Sequence, residues 1–205
     1  MTLTIEGPAG PLEALLDEPE SARAAVVFAH PLPTHGGTMH TKGVFQGAKG
    51  LVRAGCAVLR FNFRGVGRSA GQFDEGPGEQ DDFRAALSFM SSRYPQLPLW
   101  AAGFSFGSWV AMETGAADRR VSVLIGIGAP IAKYGFALTA ESDKPKFFVH
   151  ASLDEICPFK DLRVFYAKAK DPKELAVIDG ANHLFEGRAM EVGEALEDLL
   201  SDFNG

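Results

Sequence analysis

The chain has 205 residues, 46% of them hydrophobic and 22% charged, with a formal net charge of −6. This is the composition of an ordinary globular protein, long enough for one domain, residues 1–205, that buries roughly 70% of its unfolded surface. The acidic balance, with a pI near 5.4, argues against nucleic acid or an anionic membrane as a partner. No apolar run approaches the ~18 residues of a membrane span. The opening MTLTIEGPAG lacks the basic residues and apolar core of a signal peptide. Two cysteines, Cys56 in an apolar run and Cys157 in a loop, fit reduced thiols better than a disulfide framework. The expected location is the cytoplasm; oligomeric state has no signature in the sequence.

Taken in order, residues 2–5 and 12–16 are short strand candidates separated by Gly7-Pro8-Ala9-Gly10-Pro11, an opening antiparallel hairpin. Residues 24–29 (AAVVFA) form a fully apolar strand, ended by His30-Pro31-Leu32-Pro33 because proline cannot continue a ladder. After a loop through Gly36-Gly37, residues 41–53 place Val44, Phe45, Ala48, Leu51 and Val52 on one helical face, and Gly55 ends that helix. Residues 56–63 (CAVLRFNF) read as a strand and 79–94 as an amphipathic helix stopped by Pro95. Next comes an apolar strand from Leu99, a turn, and a helix carrying Trp109, Val110 and Met112. Residues 121–127 and 146–151 are further apolar strands, with an irregular stretch over 129–144 between them. A helix over 159–170, a strand over 174–178 and a closing helix over 187–203 complete the chain. Helices alternate with strands, and the internal strands are apolar rather than alternating. That pattern predicts an α/β fold with a mostly parallel sheet of seven to eight strands, covered by helices on both faces. Ligands then belong at the carboxyl ends of the strands.

The turn after Leu99–Ala102 is Gly103-Phe104-Ser105-Phe106-Gly107, a G-x-S-x-G pentapeptide. A serine on so sharp a strand-to-helix turn holds a strained backbone, and its hydroxyl projects at a helix N-terminus. A serine hydroxyl is a weak nucleophile without a base, and the base needs an acid to hold its tautomer. Of the five histidines, His183 lies in a loop after the last strand, on the carboxyl edge with Ser105. His150 lies inside a strand and reads as a packed core residue. Asp154 follows the 146–151 strand in another carboxyl-edge loop; neighbouring Glu155 points elsewhere, and Asp179, at the end of the last strand, is the weaker alternative. The order Ser105, Asp154, His183 is that of one fold in particular.

On these residues the chain resembles the α/β-hydrolase superfamily over nearly its whole length. It resembles in particular a lidless subgroup of small predicted hydrolases and carboxylesterases, similar to dienelactone hydrolase. That subgroup carries H-P-x-P-x-x-G-G, F-N-F-R-G-V-G-x-S and G-F-S-F-G, here residues 30–37, 61–69 and 103–107. Residues 154–158 resemble the D-x-x-V-P acid loop, with Cys157 where valine is usual. The expected oxyanion donors are the N–H of Phe106, directly after the nucleophile, and that of Leu32, since Pro31 and Pro33 have none. His35-Gly36-Gly37 echoes a lipase oxyanion motif but starts too far from the strand and ranks second. His30 orients this loop rather than reacting.

Two lookalikes fall away. Gly65-Val66-Gly67-Arg68-Ser69-Ala70 matches a dinucleotide fingerprint, but loop rather than helix follows it. The spacing of His30, His35 and His40 fits no zinc pattern. The expected protein is therefore a serine hydrolase of small, short-acyl carboxylic esters that needs neither metal nor organic cofactor. Thioester, amide or C–C bond hydrolysis, acyl transfer, and a non-catalytic binding role on the same fold are the alternatives. The gap from Gly128 to Pro145 is too short for a lid domain of about 40 residues. Phe104, Tyr134, Phe136 and Phe185 are the expected substrate-binding side chains.

Overall fold

The computed structural model describes residues 2–203. Eight strands form one sheet: β1 (Thr2–Gly7), β2 (Gly10–Asp17), β3 (Ala24–Ala29), β4 (Cys56–Phe61), β5 (Leu99–Phe104), β6 (Val121–Ile127), β7 (Lys146–Ala151) and β8 (Lys173–Ile178). Their order is β1-β2-β4-β3-β5-β6-β7-β8. The β1–β2 hairpin and the β2–β4 pair are antiparallel; every later pair is parallel. Among the described residues six α-helices, with a 3-10 turn over Pro33–His35, complete the fold: α1 (Lys42–Arg53), α2 (Pro77–Arg93), α3 (Phe106–Ala117), the short α4 (Ala137–Glu141), α5 (Phe159–Lys168) and α6 (Ala189–Ser201). Among the described residues no helix is long and apolar enough to cross a membrane.

The sheet has a core on each face, and strand alternation divides the side chains between them. Ala25, Val27 and Ala29 of β3 and Leu99 and Ala101 of β5 meet Phe83, Leu87 and Met90 of α2 and Val110 and Met112 of α3. Val26 and Phe28 of β3 and Trp100 and Phe104 of β5 meet Val44, Ala48 and Leu51 of α1 and Val192, Leu196 and Leu200 of α6. Each fully buried Val, Leu or Phe contributes roughly 1.5–3 kcal/mol, so the two layers hold the central strands rigidly. The carboxyl-end loops rest on that platform.

Most element ends shift by one or two residues, and three differences bear on the carboxyl-edge loops. The fourth strand stops at Phe61 rather than Phe63, because the next backbone groups are taken up elsewhere. Asn62 C=O accepts the Ser69 hydroxyl, and Phe63 N–H donates to His30 Nε2 at 3.1 Å. The stretch over 129–144 contains α4, whose first N–H groups are received by the buried carboxylate of Glu113, at 3.2 Å from Leu138 and 2.8 Å from Thr139. The closing helix is shorter, 189–201, because Phe185 and Gly187 both adopt positive φ before it starts.

The loop after β4 has a structural role. Arg64 makes two side-chain hydrogen bonds to the fully buried carboxylate of Asp82 in α2, at 2.8 and 3.0 Å, while its N–H donates to the same group. A buried carboxylate without such partners would cost several kcal/mol. Residues 62–76 are loop throughout, and Gly67 lies against Glu13 and Asn62, so no helix N-terminus stands there to receive a pyrophosphate.

Candidate active site

Three loops at the carboxyl edge converge on one point. The first is the turn between β5 and α3. Ser105 sits there at φ 53° and ψ −123°, a conformation that costs a non-glycine residue about 1–3 kcal/mol. Its N–H is held by Ile127 C=O at 2.8 Å, and its C=O accepts from Ser108 N–H and the Ser108 hydroxyl. The flanking glycines are needed for close approach. A Cβ on Gly103 would strike the Gly107 carbonyl, and one on Gly107 would strike the backbone of Ala29 and His30. The strained Ser105 backbone is thus clamped between β3, β6 and the first turn of α3.

The second loop, after β7, carries Asp154. It is buried, and its Oδ1 accepts the N–H groups of Ile156 at 2.9 Å and Cys157 at 2.7 Å. Its Oδ2 accepts His183 Nδ1–H at 2.7 Å. The third loop, after β8, carries His183, whose Nε2 accepts the Ser105 hydroxyl at 2.9 Å. The acid and histidine loops are sewn together. Ser152 N–H donates to Ile178 C=O, Leu153 N–H to Ala181 C=O, and Gly180 N–H to the Ser152 hydroxyl. Asp179 takes part in that stitching: it is exposed and accepts the Ser152 hydroxyl at 2.9 Å, while His183 turns to Asp154. Glu155 is exposed.

Ser105 opens onto a cavity of about 590 Å³, also lined by Leu32, Phe106, Tyr134, Ile156, Cys157 and Leu184. The N–H groups of Leu32 and Phe106 donate to no protein acceptor among the described residues. The N–H groups of His35 and Gly37 are both committed to Leu32 C=O, and that of Gly36 to Pro33 C=O. Among the described residues the lipase-like His35-Gly36-Gly37 segment therefore has no free backbone donor, for a physical reason beyond its distance from the strand.

Of the aromatic residues expected to bind substrate, Tyr134 lines the cavity; Phe104, Phe136 and Phe185 do not. Phe104 and Phe185 are fully buried and pack on each other, and the Phe104 ring lies 5.5 Å from the His183 ring, forming a floor beneath it. Phe136 is turned into the core against Phe165. The lining residues Ile156 and Leu184 were not anticipated from the sequence. Each neighbours a triad candidate, and that adjacency was the available signal.

Two other histidines shape the site from behind. His30 Nδ1–H donates to Pro31 C=O at 2.7 Å and its Nε2 accepts Phe63 N–H, which ties the loop carrying Leu32 to the end of β4. Burial lowers its pKa to about 4. His150, also lowered by burial, donates from Nε2 to Cys157 C=O at 2.7 Å and braces the acid loop. The Cys157 thiol is pushed up to about 12 and the Cys56 thiol to about 11, both by burial.

A nucleophile elbow on a mostly parallel sheet, with acid and histidine loops in this order, defines an α/β hydrolase. Family comparison agrees: the model described as serine aminopeptidase, S33 (Hydrolase_4) matches residues 20–139, and the chain belongs to that family. An uncharacterised protein of Rickettsia prowazekii is 33% identical over 204 residues, covering 95% of this chain and 86% of the relative. An α/β serine hydrolase homologue from Coxiella burnetii is 36% identical, with a TM-score of 0.92 over 98% of this chain and 97% of the other. A Xanthomonas campestris protein described as an α/β serine hydrolase without a lid is 35% identical, with a TM-score of 0.89 over 97% and 92%.

The environment of His30 sets a pH dependence. Its folded pKa of about 4 lies below its ordinary 6.5, so between those values the unfolded chain binds more protons. Stability is full above about pH 6.5 and falls as pH drops toward 4, by on the order of 3 kcal/mol from this residue. Urea unfolding near pH 7 and pH 4.5 checks this. His30→Gln should be less stable than the wild type at neutral pH but lose distinctly less on acidification; parallel losses in the two proteins would contradict it.

Proposed function

We propose that the protein is a serine hydrolase of small carboxylic esters. The observation that carries this reading is the unbroken chain Ser105 Oγ, His183, Asp154, with contacts of 2.9 and 2.7 Å. As the Ser105 oxygen bonds to the acyl carbon, its proton passes to His183 Nε2. Asp154 keeps the proton on Nδ1 beforehand and stabilises the imidazolium afterwards. The carbonyl oxygen, now negative, takes the N–H groups of Leu32 and Phe106, with the N-terminus of α3 behind it. Collapse expels the alkoxide, which receives the proton from His183 and leaves an acyl-serine. Water then attacks that ester, giving its proton to His183, and the reverse collapse returns the proton to Ser105 and releases the acid.

The family description raises amide cleavage next to a free amino terminus as a second reading. The cavity favours the ester. Among the described residues its lining holds no aspartate or glutamate to receive a substrate ammonium, and its one formal charge there is the cation Lys133. Asp154 stands behind His183 and already accepts three hydrogen bonds. The short β6–β7 connection supports a preference for short esters. Only 18 residues, 128–145, separate β6 from β7, and they fold as a turn and α4 against the body. The apolar wall of Tyr134, Ile156 and Leu184 desolvates the methylenes that lie against it, each worth about 0.8 kcal/mol, and an acyl chain that extends past it gains nothing more.

Asp154→Asn should lower kcat by roughly 10²–10⁴-fold with little change in KM, because the lost stabilisation arises mainly in the transition state. Asp179→Asn should change either constant less than a few-fold; a reversal would put the acid on the other loop. Across p-nitrophenyl esters, kcat/KM should peak from acetate to butyrate, and aminoacyl p-nitroanilides with free amines should be poor substrates. A profile still rising at decanoate, or aminoacyl anilides cleaved faster than esters, would contradict this reading.

A further inference from the structure

Cys157 has no role in the mechanism above. The residue is buried and lines the cavity, and its thiol makes no hydrogen bond among the described residues. One donor atom each from Cys157, Asp154 and His183 lies within 4.8 Å of the other two, and all three residues are buried. A thiol, an imidazole and a carboxylate are a complete donor set for a thiophilic divalent ion. Zinc takes sulfur at about 2.3 Å and nitrogen or oxygen at about 2.0–2.2 Å, leaving a fourth position for water. Tetrahedral ligands then stand about 3.5 Å apart, so the donors need to move by only about 1 Å.

We propose that Asp154, Cys157 and His183 form a reversible inhibitory site for Zn²⁺ that switches the triad off. Asp154 Oδ1 is held by two backbone N–H groups, which leaves Oδ2 as the oxygen that turns to the ion. The thiol gives its proton to solvent and binds as thiolate. If the ion takes His183 Nδ1, the ring proton moves to Nε2, and the ring can no longer accept a proton from Ser105. If it takes Nε2, the lone pair is occupied directly. Either way one proton is released, no electrons are transferred, and chelation reverses the change. Binding of the ion stands on the three donors alone; its effect on turnover rests on the triad reading above.

Cobalt makes the site visible, because thiolate ligation gives a charge-transfer band in the near ultraviolet and tetrahedral geometry gives intense visible bands. Titrating the protein with Co²⁺ should produce both with one ion per chain. Ser105→Ala should show them too, which separates metal binding from catalysis. Cys157→Val and Cys157→Ser should lose the charge-transfer band, two variants guarding against misfolding of either. In ester assays low-micromolar Zn²⁺ should suppress the wild type more than tenfold, with recovery on adding EDTA, and the concentration for half-inhibition should rise at least tenfold in the Cys157 variants. A missing band in the wild type, or equal zinc sensitivity without Cys157, would overturn the proposal. Activity absent from every protein while the cobalt bands persist would overturn the ester reading and leave the metal site standing.

Discussion

The carboxylate of Asp154 is the constraint on which the site depends. A buried, unpartnered carboxylate would be strongly disfavoured, and this one is buried at the bottom of a loop. Three N–H donors compensate it: two from the backbone immediately after it and one from His183. The loop's own turn supplies the first two donors, so the acid is oriented before the histidine arrives. The histidine ring then has one favourable tautomer, with its remaining nitrogen aimed at Ser105. His150 adds rigidity by holding the Cys157 carbonyl, and Phe104 supports the His183 ring from beneath.

On the opposite wall the same logic applies with a histidine in place of the carboxylate. His30 is fully buried and uses both ring nitrogens, one as donor to Pro31 and one as acceptor from Phe63. It fixes the bend that leaves the Leu32 N–H without a protein acceptor, while the carbonyl of Leu32 gathers the amides of His35 and Gly37. The G-V-G segment, by contrast, is scaffold. Ser69 and Glu13 fasten it to the edge of the sheet, and Arg64 bolts it to α2.

Much of this was legible in the chain because the central strands are apolar on both faces. The strands over 24–29, 121–127 and 146–151 stand where the sequence puts them, since proline, glycine or polar residues bound each apolar run. The candidates Ser105, Asp154 and His183 were legible for a related reason: all three follow strands, and parallel strands bring their ends to one edge. What was not legible was direction at short range. Phe104 and Phe185 flank the site in sequence, yet strand alternation and a positive-φ turn send both rings into the core. Ile156 and Leu184 carry no signal of their own in the sequence and become cavity walls only once two distant loops meet.

The central claim is that Ser105 alone is activated. Ser69 and Ser108 are near in sequence or space, but each donates its hydroxyl hydrogen bond to a backbone carbonyl, of Asn62 and of Ser105 respectively. A fluorophosphonate requires an activated serine, so the direct measurement is intact-mass analysis of the labelled protein followed by peptide sequencing. The account requires one adduct per chain, on Ser105, and none on Ser105→Ala. An adduct on another serine, or an unlabelled wild-type protein, would contradict it.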